Sequence, residues 1–175
     1  MFIAEQKKRE NIAEYMLYMW QLEDILRACV LDIDKVQHVL IDPTNYSTEK
    51  KEDARKWYLQ LIEMMKQEGK EKEGHLEVNN ILLSQLSDLH LSLLKDGLEK
   101  EYSETYFKTL PFIVELRSKS NVKDASEIEV CFTALYGYLL LKLQKKEVST
   151  DTASAISQIS ALLRLLSERY KSLSN

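Results

Sequence analysis

The sequence has few of the residues that interrupt helices, with four glycines and two prolines among 175 residues. A β-sandwich or barrel needs many turns, and those turns draw on glycine and proline. This scarcity argues against a many-stranded fold and favours long helices. A chain of this length fits one domain and buries roughly 70% of the surface that its unfolded form exposes. We therefore expect a single all-α domain over residues 1–175.

Cysteine is also scarce, since Cys29 and Cys131 are the only two. Two distant cysteines provide neither a disulfide framework nor a metal-binding spacing, and their apolar surroundings predict buried thiols. The sequence lacks a glycine-rich phosphate loop and a Gly-x-Ser-x-Gly nucleophile motif. We predict no catalytic residue, no metal and no cofactor. These absences favour a non-enzymatic protein over an enzyme.

Positive charge is not in excess, because 24 lysines and arginines face 28 aspartates and glutamates. The chain therefore lacks the broad basic surface of a nucleic-acid-binding protein. Its longest apolar stretch, residues 130–143, is too short to cross a bilayer. The N-terminal residues become charged by position five and contain no hydrophobic signal segment. We expect a cytoplasmic protein with no nucleic-acid or membrane partner.

The apolar residues that are present recur mainly at helical spacing. They predict helices at about 3–30, 48–67, 76–95, 99–119, 126–143 and 150–173, with a short helical segment at 34–41. Short connections favour antiparallel neighbours, so we expect a single bundle of five to seven mostly antiparallel helices. Helices 1 and 5 of this series are apolar nearly all round, which predicts that they are central.

Three residues within or next to these helices carry further predictions. Pro111 lacks the amide of a regular helix and should kink or break the fourth helix between residues 107 and 111. Gly137 is unfavourable within the fifth helix, and a close crossing with another helix would compensate for it. Gly97 should end the third helix in a left-handed conformation.

Glu23 is the polar residue that the helical pattern explains least. It lies nearly opposite the polar side of the first helix, so its carboxylate should be at least partly buried. A buried charge is costly unless it is paired and hydrogen-bonded. The structural interpretation is an ion pair with Arg27, four residues later. The functional interpretation is the polar floor of an apolar ligand pocket near Trp20, Glu23 and Arg27, with Asp24 beside it.

The three histidines do not follow the Glu-x-x-His spacing of di-iron bundles. His90 lies on the apolar seam of the third helix, as does Asn79, which favours a buried hydrogen-bonding role over a ligand role. His75 stands at a helix start and should be exposed. The candidate ligand or polar-core residues are therefore Trp20, Glu23, Asp24, Arg27 and His90.

The opening stretch from Met1 to Asp24, MFIAEQKKRENIAEYMLYMWQLED, resembles the start of a family of uncharacterised Bacteroidetes proteins of about this length. That family is defined only as a domain of unknown function. The resemblance implies a bacterial, cytoplasmic protein and supplies no activity. It directs attention to the segment from Met16 to Asp24.

Three functions remain open at this point. The first is a non-enzymatic interaction or scaffold protein that binds a protein partner or a second copy of itself as a homodimer, through an exposed apolar patch. The second is a small-molecule-binding protein with its pocket near Glu23. The third is a metal-dependent enzyme in which histidines and carboxylates converge.

Overall fold

The computed structural model describes residues 2–96, 99–119 and 124–173 of the chain. Within these ranges the chain is all-helical and no residue forms a strand, which confirms the predicted fold class. A π-helical turn at Gln37–Ile41 follows the third of eight α-helices in the described ranges. The α-helices are α1 (Phe2–Glu10), α2 (Ile12–Ala28), α3 (Ile33–Val36), α4 (Thr48–Gln67), α5 (Glu77–Asp96), α6 (Lys100–Lys119), α7 (Glu127–Leu143) and α8 (Thr150–Leu173).

The predicted count of five to seven helices is too low because the first predicted helix divides at Asn11. Asn11 has extended backbone angles, and its side chain accepts hydrogen bonds from the amides of Ala13 and Glu14 at 3.0 and 3.2 Å. Asparagine competes with the helical backbone in this way and is therefore favoured at the start of a helix. The short helix α3 and the π-helical turn after it coincide with the helical segment predicted at residues 34–41.

Pro111 does not break α6, which continues from Lys100 to Lys119. Of the two outcomes expected at Pro111, the break is therefore wrong and the kink stays a prediction. Proline removes the hydrogen bond to the carbonyl four residues earlier, that of Phe107. Both residues lie on the exposed side of α6, where water can bind that carbonyl instead. Gly97, the predicted end of the third helix, lies outside the described residues.

The fifth predicted helix, α7, is buried only in its first half. Its buried residues are Ile128, Val130, Cys131 and Phe132, whereas residues 134–141 are half-buried and Leu143 is exposed. A Cβ atom built on Gly137 meets nothing within 4 Å. The close helix crossing expected at Gly137 is therefore wrong, and α7 is buried over a shorter length than its composition predicts.

The long C-terminal helix α8 packs against α2, α5, α6 and α7. Its predicted apolar seam is buried from Ile156 to Leu166. These helices form one apolar cluster, which contains Met16 and Trp20 of α2. A second cluster joins α1, α2, the 29–41 segment and α4, and contains Leu26 and Leu76. α2 therefore contributes to both clusters, as its nearly all-round apolar surface predicts.

Among the residues that the structure describes, no helix is both long and apolar enough to span a membrane. Cys29 and Cys131 are free buried thiols, as predicted. Glu23 is the acidic residue of α2 that lies where the two apolar clusters meet, since Trp20 belongs to the first cluster and Leu26 to the second.

Candidate functional site

The carboxylate of Glu23 is buried, with 1% of its surface exposed, and accepts three hydrogen bonds. Oε1 accepts from the amide of Leu76 at 3.0 Å and from Nδ2 of Asn79 at 2.7 Å. Oε2 accepts from Nδ1 of His75 at 2.6 Å. Because Leu76 directly precedes α5, Glu23 satisfies an unpaired amide at the N-terminus of that helix. The positive end of the helix dipole further stabilises the negative charge.

The sequence predicts that His75 is exposed at a helix start, and this prediction is wrong. His75 is half-buried and forms the outer side of this cluster. Its side chain is 31% exposed, and its ring stacks on Trp20 with the centroids 4.1 Å apart and the planes at 11°. A carboxylate only accepts hydrogen bonds, so Nδ1 of His75 carries the proton. Glu23 and Trp20 together fix both the tautomer and the orientation of the ring.

Arg27 does not pair with Glu23, so that predicted ion pair is wrong. Its Nη1 lies 2.8 Å from Oδ1 of Asp24, Nε donates to the carbonyl of Lys70 at 3.1 Å, and Nη2 donates to the carbonyl of Gly74. Asp24 also accepts a hydrogen bond from the hydroxyl of Tyr136 on α7. Arg27 therefore holds the charged turn between α4 and α5 against α2.

We define the Glu23 cluster as Trp20, Glu23, His75 and Asn79. Most of its polar atoms already bond to each other or to the backbone, so few are available to a substrate. All three hydrogen bonds to the carboxylate come from its own chain. Two buried atoms of the cluster, Nε1 of Trp20 and Oδ1 of Asn79, have no hydrogen-bond partner among the described residues. Four cavities of 390, 160, 170 and 460 Å³ are lined by other residues. The geometry is that of a fixed connection between α2 and α5.

His90 belongs to a different cluster from the other four predicted site residues. It lies 11 residues after Asn79 on α5, which is about 16 Å along the helix axis. His90 is 2% exposed, and its Nδ1 and Nε2 lie 2.7 Å from the Tyr102 hydroxyl and 3.2 Å from Oε2 of Glu127. The predicted buried hydrogen-bonding role of His90 is therefore confirmed.

We define the His90 cluster as His90 with the surrounding residues Tyr102, Tyr106, Glu127 and Cys131. Burial dominates the electrostatics of this cluster. It lowers the pKa of His90, although the nearby Glu127 carboxylate acts in the opposite direction. Burial, with a hydrogen bond to Glu127, raises the pKa of Tyr106 to about 12. Burial also raises the pKa of the Cys131 thiol to about 12. None of these shifts produces an activated nucleophile near neutral pH, so the cluster connects α5, α6 and α7 without an evident reactive group.

The surface of α6 carries an apolar stripe that consists of Phe107, Pro111 and Val114. Phe107 is 65% exposed and Val114 is 59% exposed. Their spacing of four and then three residues places them on one side of the helix. The buried side of the same helix carries Tyr102 and Ile113, each 1% exposed. α6 therefore has two apolar sides, and one of them is open to solvent.

Sequence reasoning did not identify this stripe, nor the roles of His75 and Tyr136. The stripe had a visible signal, because α6 has apolar residues on two opposite sides. His75 and Tyr136 had no comparable signal, since their contacts with α2 cross more than 50 residues of sequence. Such contacts depend on how the helices pack.

Comparison with known proteins gives a family but no activity. No curated protein and no solved structure matches the chain. A family model described as Domain of unknown function (DUF4924) matches residues 1–175. The chain therefore belongs to this family of unknown function, as the resemblance of its opening stretch indicates.

Proposed function

We propose that this chain is a non-enzymatic interaction protein, folded as one helical bundle, whose α6 stripe binds another polypeptide. The exposure of Phe107 and Val114 carries this proposal. Single exposed apolar side chains are common on proteins, but an aligned set including an aromatic residue is typical of a contact surface. Bacterial origin and cytoplasmic location stay predictions from the sequence.

The two alternatives have less support. A small-molecule pocket near Trp20, Glu23 and Arg27 would need a carboxylate available to a ligand, and that of Glu23 already accepts three internal hydrogen bonds. The two unpartnered atoms of the Glu23 cluster, Nε1 of Trp20 and Oδ1 of Asn79, are themselves buried. A metal-dependent enzyme would need converging ligands. His75 and His90 instead lie in separate clusters, and His38 is a surface residue near Asp42.

The first test asks whether the stripe is dispensable for folding. Phe107→Ala removes an exposed ring, so we expect the free energy of unfolding in urea to change by less than about 0.5 kcal/mol. The matched control on the same helix, Ile113→Ala, removes a buried side chain and should cost about 2–5 kcal/mol. Equal losses in both variants would show that Phe107 belongs to the core and would contradict the proposal.

The second test asks whether the stripe contacts a protein. A photo-reactive phenylalanine analogue at position 107 should form protein adducts on illumination of cells that express the chain. The control position is Leu59 on α4, which is 41% exposed and lies outside the stripe. Adducts that are specific to position 107 are expected. No adducts, or the same adducts from both positions, would contradict a contact surface on α6.

A further inference from the structure

We propose that the partner of the α6 stripe is a second copy of this chain, with its α6 packed antiparallel to the first. The two-fold axis passes between Pro111 and Phe112. This inference rests on the proposed function, because it names the occupant of the same surface. It comes from the charges along the stripe, which complement their own copy in this orientation alone.

Beyond Glu101 at its start, four charged residues follow one edge of the stripe in the order Glu104, Lys108, Glu115 and Lys119. At about 100° per residue they lie roughly 60–120° around the helix from Phe107, so they share one flank. All four are exposed; the side chains of Glu104, Glu115 and Lys119 are 57%, 59% and 69% exposed. They are therefore accessible to a partner helix, although Glu104 also lies near Lys100 and Glu115 pairs with Lys119 within α6.

An antiparallel pair related by a two-fold axis brings the same flank of both helices together with reversed direction. With the axis midway between residues 111 and 112, Lys108 of one copy lies level with Glu115 of the partner subunit. By the same relation, Glu104 lies level with Lys119 of the partner subunit. Symmetry repeats both pairs, which gives four opposite-charge contacts in the dimer.

In a parallel pair related by a two-fold axis, the same flanks of the two helices lie on opposite sides of the contact, so Lys108 cannot reach Glu115 of the partner subunit. The charged flank then faces the flank with Ser103, Leu110 and Arg117, which holds no carboxylate of α6. The charges therefore favour the antiparallel arrangement over the parallel one. The ion pair between Lys119 and Glu115 within α6 does not alter the comparison, because it is present in both orientations.

The apolar side chains fit the same axis. Phe107 lies about 7 Å from the axis along the helix, and Val114 of the partner subunit lies about 4 Å from it in the same direction. The ring of Phe107 therefore meets Val114 of the partner subunit at nearly the same level. Pro111 lies beside the axis, where it meets its own copy. A contact surface of one helix per subunit is small, so we expect a weak dimer in the micromolar range.

Sedimentation equilibrium of the full chain, from micromolar to sub-millimolar concentration, tests this inference. Lys108→Glu should weaken the dimer about tenfold, because each substitution replaces two attractive contacts with two repulsive ones. The double variant Lys108→Glu with Glu115→Lys should restore the wild-type association to within about threefold. Lys66→Glu, at an exposed position on α4, is the control and should leave association unchanged.

The possible outcomes separate the two proposals. A chain that stays monomeric throughout overturns the homodimer, while adducts with another protein at position 107 would still support a contact surface. A dimer that Lys108→Glu leaves unchanged places the contact elsewhere and also overturns the inference. Failure of the double variant to restore association excludes the antiparallel pairing. Circular dichroism of each variant establishes that it is folded before sedimentation is compared.

Discussion

Glu23 of α2 accepts a hydrogen bond at 3.0 Å from the backbone amide of Leu76, the residue that precedes α5. This contact joins two elements separated by more than 50 residues of sequence. α5 also receives a second carboxylate, because Oε2 of Glu68 accepts from the amide of Glu77 at 2.7 Å. Both acceptors satisfy amides at the positive end of the helix dipole, so the start of α5 is fixed by other parts of the chain.

Replacing Glu23 tests this role directly. In Glu23→Leu, the buried amide of Leu76 and Nδ2 of Asn79 both lose their acceptor, so we expect the free energy of unfolding to fall by about 2–5 kcal/mol. Urea denaturation measures this loss. The control is Glu14→Leu on the same helix, where the side chain is 58% exposed. Equal stability of the two variants would refute the assigned role.

Arg27 allows a test of how the turn between α4 and α5 is held. Its planar guanidinium bridges Asp24 and the carbonyls of Lys70 and Gly74, which a lysine ammonium at the same position cannot do simultaneously. Arg27→Lys should therefore increase hydrogen–deuterium exchange in residues 70–76 while exchange in α8 stays unchanged. Mass spectrometry of peptic fragments measures both regions.

Arg164→Lys is the matched control for that experiment, because Arg164 lies on the surface of α8 and pairs with a neighbouring carboxylate, Glu168. It should not alter exchange in the turn. Unchanged exchange in Arg27→Lys as well would show that the two glycines with positive φ, Gly69 and Gly74, hold the turn without the arginine.

The sequence was sufficient to predict the burial of Glu23 but not the identity of its hydrogen-bond partners. Helical periodicity placed Glu23 opposite the polar side of its helix, and it is buried. The same reasoning chose Arg27 as partner, because residues four apart are the contacts that a single helix specifies. The actual partners come from the start of α5, and only the packing of α2 against that segment brings them together.

A similar limit explains the errors in α6 and α7. The composition of α7 is strongly apolar, and this favoured a fully buried helix. Composition does not determine how many helices surround it, and its second half is only half-buried. Pro111 should disrupt a helix locally, yet a missing hydrogen bond on the solvent side costs little because water can replace it. Apart from the missed division at Asn11, the helix boundaries, which depend on local signals, were predicted well, whereas exposure depends on neighbouring helices.

His90 predicts a decrease in stability on acidification. Burial lowers its pKa below the ordinary value of 6.5, so between these two pKa values the unfolded chain binds a proton that the folded chain does not. The free energy of unfolding therefore decreases as pH falls below about 6.5, by at most about 1.4 kcal/mol per pH unit for one group. Urea denaturation at a series of pH values measures the slope.

Variants at two histidines show whether His90 causes this dependence of stability on pH. His90→Gln removes the titrating ring and should make the stability less dependent on pH, although the variant is less stable at neutral pH because of the cavity it leaves. His38→Gln should keep the wild-type slope, since the side chain of His38 is 87% exposed. If His90→Gln retains the full slope, then another group causes the acid sensitivity and the role of His90 is wrong.

Gly137 makes the last prediction, because its position in α7 is helical and has open space around it. A Cβ atom there meets nothing within 4 Å, so alanine would add no clash while restricting the unfolded backbone. Gly137→Ala should raise the free energy of unfolding by about 0.5–1 kcal/mol, as glycine-to-alanine changes do within helices. The control is Gly69→Ala, which also has open space but has a φ of +67°. That variant should be destabilised by about 1 kcal/mol, because the left-handed conformation is unfavourable for alanine. Loss of stability in Gly137→Ala, measured by urea denaturation, would contradict this prediction and show that α7 does not accommodate a methyl group at position 137.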